Sequence, residues 1–173
     1  MDVFCEYIVK VKKNPVELTI SALGIILAVI LLGFSLFFLF TPFSSFVLLI
    51  DAGVVYGAYI LITHFNVEYE YILTNGDIDI DKIIAKRKRK RVLSFSTKEF
   101  EIVAPYKQGE NYTNVFDLGT RNYENAYYAV LQYKQYQYGQ KKTLVFNPPQ
   151  KMIEAMKTYS PRTVHLKGEI ENY

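Results

Sequence analysis

Residues 18–40, LTISALGIILAVILLGFSLFFLF, and residues 43–65, FSSFVLLIDAGVVYGAYILITHF, are apolar stretches of 23 residues each, separated only by Thr41 and Pro42. A helix of that length extends about 34 Å, against a hydrocarbon core of about 30 Å. Two such stretches around so short a turn predict a membrane-spanning α-helical hairpin. The first is longer than the apolar core of a cleaved leader, and no small-x-small cleavage pattern follows it, so both helices are expected to be retained.

The flanking charges predict orientation. Lys10, Lys12 and Lys13 precede the first helix, Lys86 to Arg91 follow the second, and the connection carries no charge. By the positive-inside rule this is a multi-pass protein of the plasma (cytoplasmic) membrane with both termini in the cytoplasm. Three parts follow: a cytoplasmic N-terminal segment (1–15), two transmembrane helices (16–65, spans about 18–40 and 43–65), and a cytoplasmic domain (66–173). The last part, 108 residues long, suits one compact domain.

In the first segment Phe4, Ile8 and Val11 recur at helical spacing. That fits either a short amphipathic helix on the inner leaflet or a frayed extension of the first span. Pro15 suits an early helical position. Cys5 is the lone cysteine, so there is no disulfide framework, and it reads as an ordinary thiol.

Inside the hairpin, Gly53 and Gly57 form a small-xxx-small pair, which lets helix backbones approach closely. Their expected partner is the first helix, through Gly24, Ala28 or Gly33; a homo-oligomer or a larger membrane subunit is the alternative. Asp51 is the one ionisable residue well inside a span, at an insertion cost of about 2.5–3.5 kcal/mol, and so should face protein or water. Reflection about the turn brings it near Leu32 and Gly33, within reach of Ser35.

The cytoplasmic part opens with a strand over 66–74. Asn75-Gly76 then signals a hairpin turn whose two central residues need positive φ. Asp77 to Ile84 alternates, with Ile78 and Ile80 inward and Asp77, Asp79 and Asp81 on the exposed face. The returning strand carries the chain back towards the bilayer, where Lys86-Arg87-Lys88-Arg89-Lys90-Arg91 follows. Neighbours on a strand point oppositely, so these six cannot share one strand face, and a solvated loop or protruding ribbon is expected.

Residues 82–98 hold eight basic side chains (Lys82 and Lys98 besides these six) and no acidic one. The chain totals +3, so these eight leave −5 for the rest, and the basicity is local. Each basic residue near an anionic leaflet contributes about 1 kcal/mol, which makes Lys86 to Arg91 the candidate lipid-binding site. Nucleic acid is the weaker candidate, because aromatic residues do not interleave with the basic ones.

Further on, Ser96 and Glu99 resemble a capping box, and Phe100–Val103 reads as a strand or a helical turn. Tyr106–Asn125, with Gly109 and Gly119, reads as loops around a short element. A strand over Tyr127–Tyr138, burying Ala129, Leu131 and Tyr133, turns at Gly139-Gln140 into a strand over Lys141–Asn147. A helix over 149–159 follows, with Met152, Ile153, Met156 and Tyr159 on one face, and Thr163–Leu166 adds a last strand. Eight of the fifteen tyrosines fall between Tyr106 and Tyr138; strand preference accounts for them better than an interaction face.

No catalytic constellation, P-loop or dinucleotide fingerprint is present, and no enzyme activity or cofactor is expected. His64 and His165 lack a second ligand at zinc spacing.

The run Tyr71-Ile72-Leu73-Thr74-Asn75-Gly76 with Ile78 and Ile80, behind a membrane hairpin, resembles bacterial membrane-anchored proteins with a pleckstrin-homology-like (PH-like) domain. The pattern from Met1-Asp2-Val3-Phe4 through Ile83-Ile84-Ala85-Lys86-Arg87-Lys88-Arg89 is similar to an uncharacterised family of small bacterial membrane proteins. The resemblance implies a mostly antiparallel sheet or partial barrel with one capping helix, here over 149–159, an α+β domain behind the hairpin. The chain departs from the pattern in lacking a glycine after Ile80 and in adding a strand after the helix. The expected function is a non-enzymatic, membrane-anchored adaptor that contacts anionic membrane lipids through its basic loop and an unidentified protein through its sheet. The alternative is an accessory subunit of a membrane complex, docked through Gly53, Gly57 and Asp51.

Overall fold

The computed structural model describes residues 2–118, 121, 123–132 and 141–169. The chain forms two compact units, one of Met1–Lys12 with Glu68–Tyr173 and one of Lys13–Val67. The helical unit is therefore an insertion. The strand before it and the strand after it belong to the same sheet.

That sheet has the order β1-β2-β3-β4, formed by β1 (Phe4–Lys10), β2 (Val67–Thr74), β3 (Asp77–Ile84) and β4 (Lys88–Ser96). β1 runs antiparallel to β2 from Phe4↔Thr74 to Lys10↔Glu68. This corrects the helical reading of the first segment. Seven residues are too few to separate a period of 3.6 from one of 2, and the decisive partner lies 58 to 70 residues away. Cys5, Tyr7 and Val9 face the same side as their partners Leu73, Tyr71 and Tyr69, and Cys5 and Val9 pack against the core. The Asn75-Gly76 turn is as expected, with φ of 50° and 94°. Tyr159 lies 3.1 Å from where a Cβ on Gly76 would sit, a second reason for glycine there.

A 3-10 turn at Thr97–Glu99 leads out of β4, with the Ser96 N–H donating to Glu99 Oε1 at 3.5 Å. The second sheet, in the order β5-β7-β8-β6, contains β5 (Phe100–Pro105), β6 (Val115–Asp117), β7 (Tyr127–Gln132) and β8 (Lys141–Phe146). Phe100–Val103 is thus strand, and β6 is the short element among the loops. β7–β8 is antiparallel and β6–β8 is parallel. Ala129 and Leu131 are buried as expected; Gly119, Tyr133 and the Gly139-Gln140 turn lie outside the described residues. The expected last strand is a single parallel bridge, Val103↔Val164, closed by Val103 N–H to Thr163 O (2.7 Å) and His165 N–H to Val103 O (2.8 Å).

The apolar faces of both sheets meet in one core, closed by α3 (Gln150–Tyr159) through Met152, Ile153 and Met156. At its centre is Tyr71 on β2, fully buried. Its hydroxyl donates to Leu118 O (3.0 Å) and accepts from Asn147 N–H (3.4 Å), and its ring meets Phe146 edge-on at 5.9 Å. One side chain of the first sheet therefore satisfies two backbone groups that follow strands of the second. Burial pushes the Tyr71 hydroxyl well above its ordinary titration range, so it stays a donor.

The inserted unit holds α1 (Pro15–Ser35), a 3-10 turn at Leu36–Phe38, and α2 (Ser44–His64). The Asn14 N–H donates to Glu17 Oε2 (2.9 Å) at the start of α1, and Pro15 occupies its first turn. Both helices are long and apolar enough to cross a membrane, and almost none of that apolar surface is buried inside the protein. A core helix of a water-soluble fold would hide it.

Where the helices meet, half-buried Val47, Asp51, Val54, Ala58 and Leu61 on α2 repeat at intervals of four and three. Ser21, Gly24, Ala28 and Ser35 share the corresponding face of α1. Ser35 Oγ donates to Asp51 Oδ2 at 2.8 Å, in the register the reflected turn implies. Gly53 and Gly57 are not on this seam: a Cβ on either would meet nothing within 4 Å, whereas one on Gly24 would lie 2.4 Å from Leu61 Cδ2. The expected role of Gly53 and Gly57 in packing against α1 is therefore overturned, and so is that of Gly33, which is equally open.

Replacing Tyr71 by Phe removes a hydroxyl and leaves a buried carbonyl and N–H short of a partner, at a cost of about 1–3 kcal/mol. Urea unfolding of the full chain in detergent micelles should show a lower midpoint for Tyr71→Phe; an unchanged midpoint would mean that the hydroxyl bridge is not holding the two sheets together.

Candidate functional site

β3 and β4 pair in one register from Asp77↔Ser96 to Ile80↔Leu93, then in a register shifted by one from Asp81↔Arg91 to Ile84↔Lys88. Val92 is the extra residue, a β-bulge on β4. Without it Val92 would stand across from Asp81. With it, Arg91 and Arg89 turn to the outer face of the sheet, and Lys90 and Lys88 turn to the other.

The basic run is thereby divided. Lys86 and Arg87 form the turn, closed by Arg87 N–H to Ile84 O at 3.0 Å, with Ala85 and Lys86 both left-handed (φ 53° and 56°). Lys88 to Arg91 are strand rather than a solvated loop, which corrects that expectation. Arg91 binds both Asp79 (3.0 Å to Oδ2) and Asp81 (2.9 Å to Oδ1), and Arg89 binds Glu70 Oε1 on β2 (2.9 Å). Asp81 and Glu70 are buried, so the aspartate row is not a uniformly exposed face. Buried carboxylates carry a desolvation cost that these guanidinium groups offset. Arg91 is held by two carboxylates of the sheet and Arg89 by one.

The lysines are different. Lys90 stands directly across from Lys82 on β3, a like-charge pair that disfavours the ladder. Among the described residues no ion pair engages Lys82, Lys86, Lys88 or Lys90. Lys82 was counted in the basic segment yet had no assigned role, because its neighbour across the ladder is invisible in the sequence.

β2 begins, and β3 ends, at the edge of the sheet where β1 also ends. Lys10↔Glu68 is the last pair before the chain leaves for the helices, so the Ala85–Arg87 turn lies at that same edge. On the outer face there, a depression of about 530 Å³ has Ile8 and Ile83 as apolar floor. Lys10, Lys86, Arg87 and Arg89 stand around it, with Glu68.

Glu70 adjoins this depression through Arg89. Its Oε2 is buried and has no hydrogen-bond donor, and the Glu6 carboxyl of β1 lies beside it, diagonal in the β1–β2 register. Burial foremost, then the facing Glu6 and Asp81, push the Glu70 carboxyl up from the ordinary carboxylate range, while Arg89 draws it down. A buried carboxylate oxygen without a donor, beside a second carboxylate, favours the protonated form of Glu70.

Among the described residues, the tyrosines between Tyr106 and Tyr128 are occupied structurally. Tyr106, Tyr112, Tyr123 and Tyr128 stack among themselves at 4.9–5.2 Å, and Tyr127 is in the core. Burial and Glu110, which accepts the Tyr112 hydroxyl proton at 2.9 Å, push Tyr112 up to about 12. Among the described residues no cluster of His, Cys, Asp and Glu is arranged to hold a metal ion.

A carboxyl raised in the folded state contributes stability that is complete below its unfolded value, about 4.3, and is lost as pH rises through the folded value. Glu70→Gln keeps an acceptor for Arg89 and supplies a donor to Glu6. It should therefore be more stable than the native chain at pH 8 and lose part of the pH slope between pH 5 and 8. Thermal unfolding in micelles at several pH values reads this; parallel slopes in the two proteins would refute the raised Glu70 carboxyl.

Comparison with known proteins agrees with this architecture. No curated protein and no solved structure matches this chain. One family model does, over residues 1–166, a span that includes β1, both helices, both sheets and α3. PH-like domains are generally non-catalytic. The match takes in the apolar hairpin between the first two strands, the mostly antiparallel sheets and the closing helix, and the chain belongs to the Bacterial PH-like domain (DUF6106) family.

Proposed function

We propose that this is a non-enzymatic adaptor, anchored by its helical hairpin in the plasma membrane with both termini in the cytoplasm, that lays the basic edge of its first sheet on anionic headgroups. The observation that carries the reading is the gathering of Lys82, Lys86, Lys88 and Lys90 without carboxylate partners, at the sheet edge where the chain leaves for the helices. Like charges held together disfavour the fold unless an anion relieves them, and an anionic leaflet contributes about 1 kcal/mol per lysine. The pairing of β1 with β2 supports the orientation. Residues on either side of the hairpin are neighbours in one sheet, as they must be if the chain crosses and returns. Among the six basic residues of the sequence run, the lysines make this contact, while Arg91 is paired to two carboxylates of the sheet and Arg89 to one.

The test uses the full chain in nanodiscs. Amide exchange over Ile84–Lys90 should slow in discs containing phosphatidylglycerol relative to phosphatidylcholine alone, and 0.5 M salt should remove the difference. Lys86→Ser, Lys88→Ser and Lys90→Ser together should remove it without altering exchange in the core strands. Equal exchange in both lipids at low salt would refute the headgroup contact.

A second reading, an accessory subunit of a membrane complex, rests on the openness of Gly53 and Gly57, which leaves a close-approach surface on α2 away from α1. Asp51 belongs to the internal seam and does not share that surface. Gly53→Leu with Gly57→Leu should then abolish co-purification of a membrane protein while leaving the hairpin folded; retention of the same proteins would exclude this reading.

A further inference from the structure

The lysine edge shares only Lys86 with the outer-face depression, and the depression has the features of a site. Four cations, Lys10, Lys86, Arg87 and Arg89, stand around an apolar floor of Ile8 and Ile83 with one carboxylate, Glu68, for a net charge of +3. A volume of about 530 Å³ exceeds what a phosphate group alone needs and leaves the floor for an apolar portion of the ligand. Arg89 is the cation shared between the depression and the interior. One end of its guanidinium binds Glu70 Oε1 at 2.9 Å, yet its side chain remains 56% exposed.

We propose that this depression binds a phosphate-bearing anion, and that Glu70 releases Arg89 to the anion by taking up a proton at its buried carboxyl. Resting on the headgroup-contact reading, this deepens it by making the contact proton-coupled. With Glu70 ionised, Arg89 is held by a buried carboxylate. When solvent delivers a proton to the Glu6–Glu70 pair, the buried Oε2 gains the donor it lacks, and the pair loses one negative charge. Arg89 then offers a full positive charge to the depression.

The charged groups around Glu70 are consistent with this direction. Glu6 and Lys10 come from β1, Glu68 from β2, Asp79 and Asp81 from β3, and Arg89 and Arg91 from β4. Arg91 is engaged by both aspartates, so it does not replace Arg89 when Arg89 leaves. Glu6 and Glu70 sit on the two paired strands β1 and β2, in the middle of their ladder.

The chain has no tryptophan, so Ile8→Trp places a single reporter on the floor of the depression. The full chain with this change is assembled in phosphatidylcholine nanodiscs. One arm adds sulfate, a phosphate stand-in whose charge is the same at pH 5.5 and pH 8. The other replaces part of the lipid by brominated phosphatidylglycerol, which quenches a nearby indole. A response to sulfate identifies a free anion as ligand, and quenching without a sulfate response identifies a headgroup.

In the responding arm, apparent affinity should rise as pH falls, by no more than about tenfold per pH unit, the limit for one linked proton. Adding Glu70→Gln should give the low-pH affinity already at pH 8 and flatten the profile. A Glu70→Gln profile that follows the parent, or no response in either arm at either pH, overturns the proposal. If the tryptophan is silent while anionic lipid still slows amide exchange at the lysine edge, only this proposal fails. If both are silent, the headgroup contact fails with it.

Discussion

The pairing of β1 with β2 is the constraint on which the rest of the structure depends. It is a seven-residue antiparallel ladder between segments separated by the whole helical hairpin. Adjacent strands hold Lys10 and Glu68 about 5 Å apart, so the chain must leave for the helices and return at nearly one point. A helical hairpin of two equal spans meets that requirement, whereas one span would not. The ladder also covers the edge of β2, which would otherwise present unpaired backbone beside the central Tyr71. The domain is therefore incomplete until both helices and the strand beyond them have been made.

A second constraint acts across the other end of the same sheet. The aspartates of β3 and the arginines of β4 are adjacent in space because Val92 adds one residue to β4. A continuous run of six basic residues becomes two populations with different work. Arg89 and Arg91 face the outside of the sheet and neutralise buried carboxylates, while Lys88 and Lys90 face the other way beside Lys82. Arginine suits the first task, since its planar fork reaches two carboxylates at once, as Arg91 does. The lysines are compact, strongly hydrated charges on flexible stems, and no ion pair among the described residues engages them.

The helical unit shows a similar division. Small residues line the seam on α1, with Gly24 under Leu61, and the one buried-capable acid, Asp51, is satisfied by Ser35. This removes the need for an external partner at Asp51 and leaves Gly53 and Gly57 facing outward. A hairpin so short at its turn aligns the helices regardless of which faces meet. The faces that do meet follow the four-three interval of Val47, Asp51, Val54, Ala58 and Leu61.

The local features were legible in the sequence because each depends on neighbours in the chain. The two spans rest on uninterrupted apolar length, the Asn75-Gly76 turn on two residues that accept positive φ, the strand after it on alternation, and α3 on its Met152, Ile153 and Met156 stripe. The extent of β1, the Val92 bulge, the second hairpin turn at Ala85-Lys86 and the exclusion of Gly53 and Gly57 from the seam were not. Each of these is a statement about register. Register is decided by which side chains bury together across the fold, and a one-residue shift reverses every face. In a run where all six residues are basic, the alternation that would report those faces has no contrast to display. Composition therefore determined that this chain has two apolar helices long enough to cross a membrane, a β-rich domain and a concentrated positive charge. Only the tertiary structure decided which of those charges pair inside the sheet and which do not, because that choice belongs to pairs of residues brought together by folding.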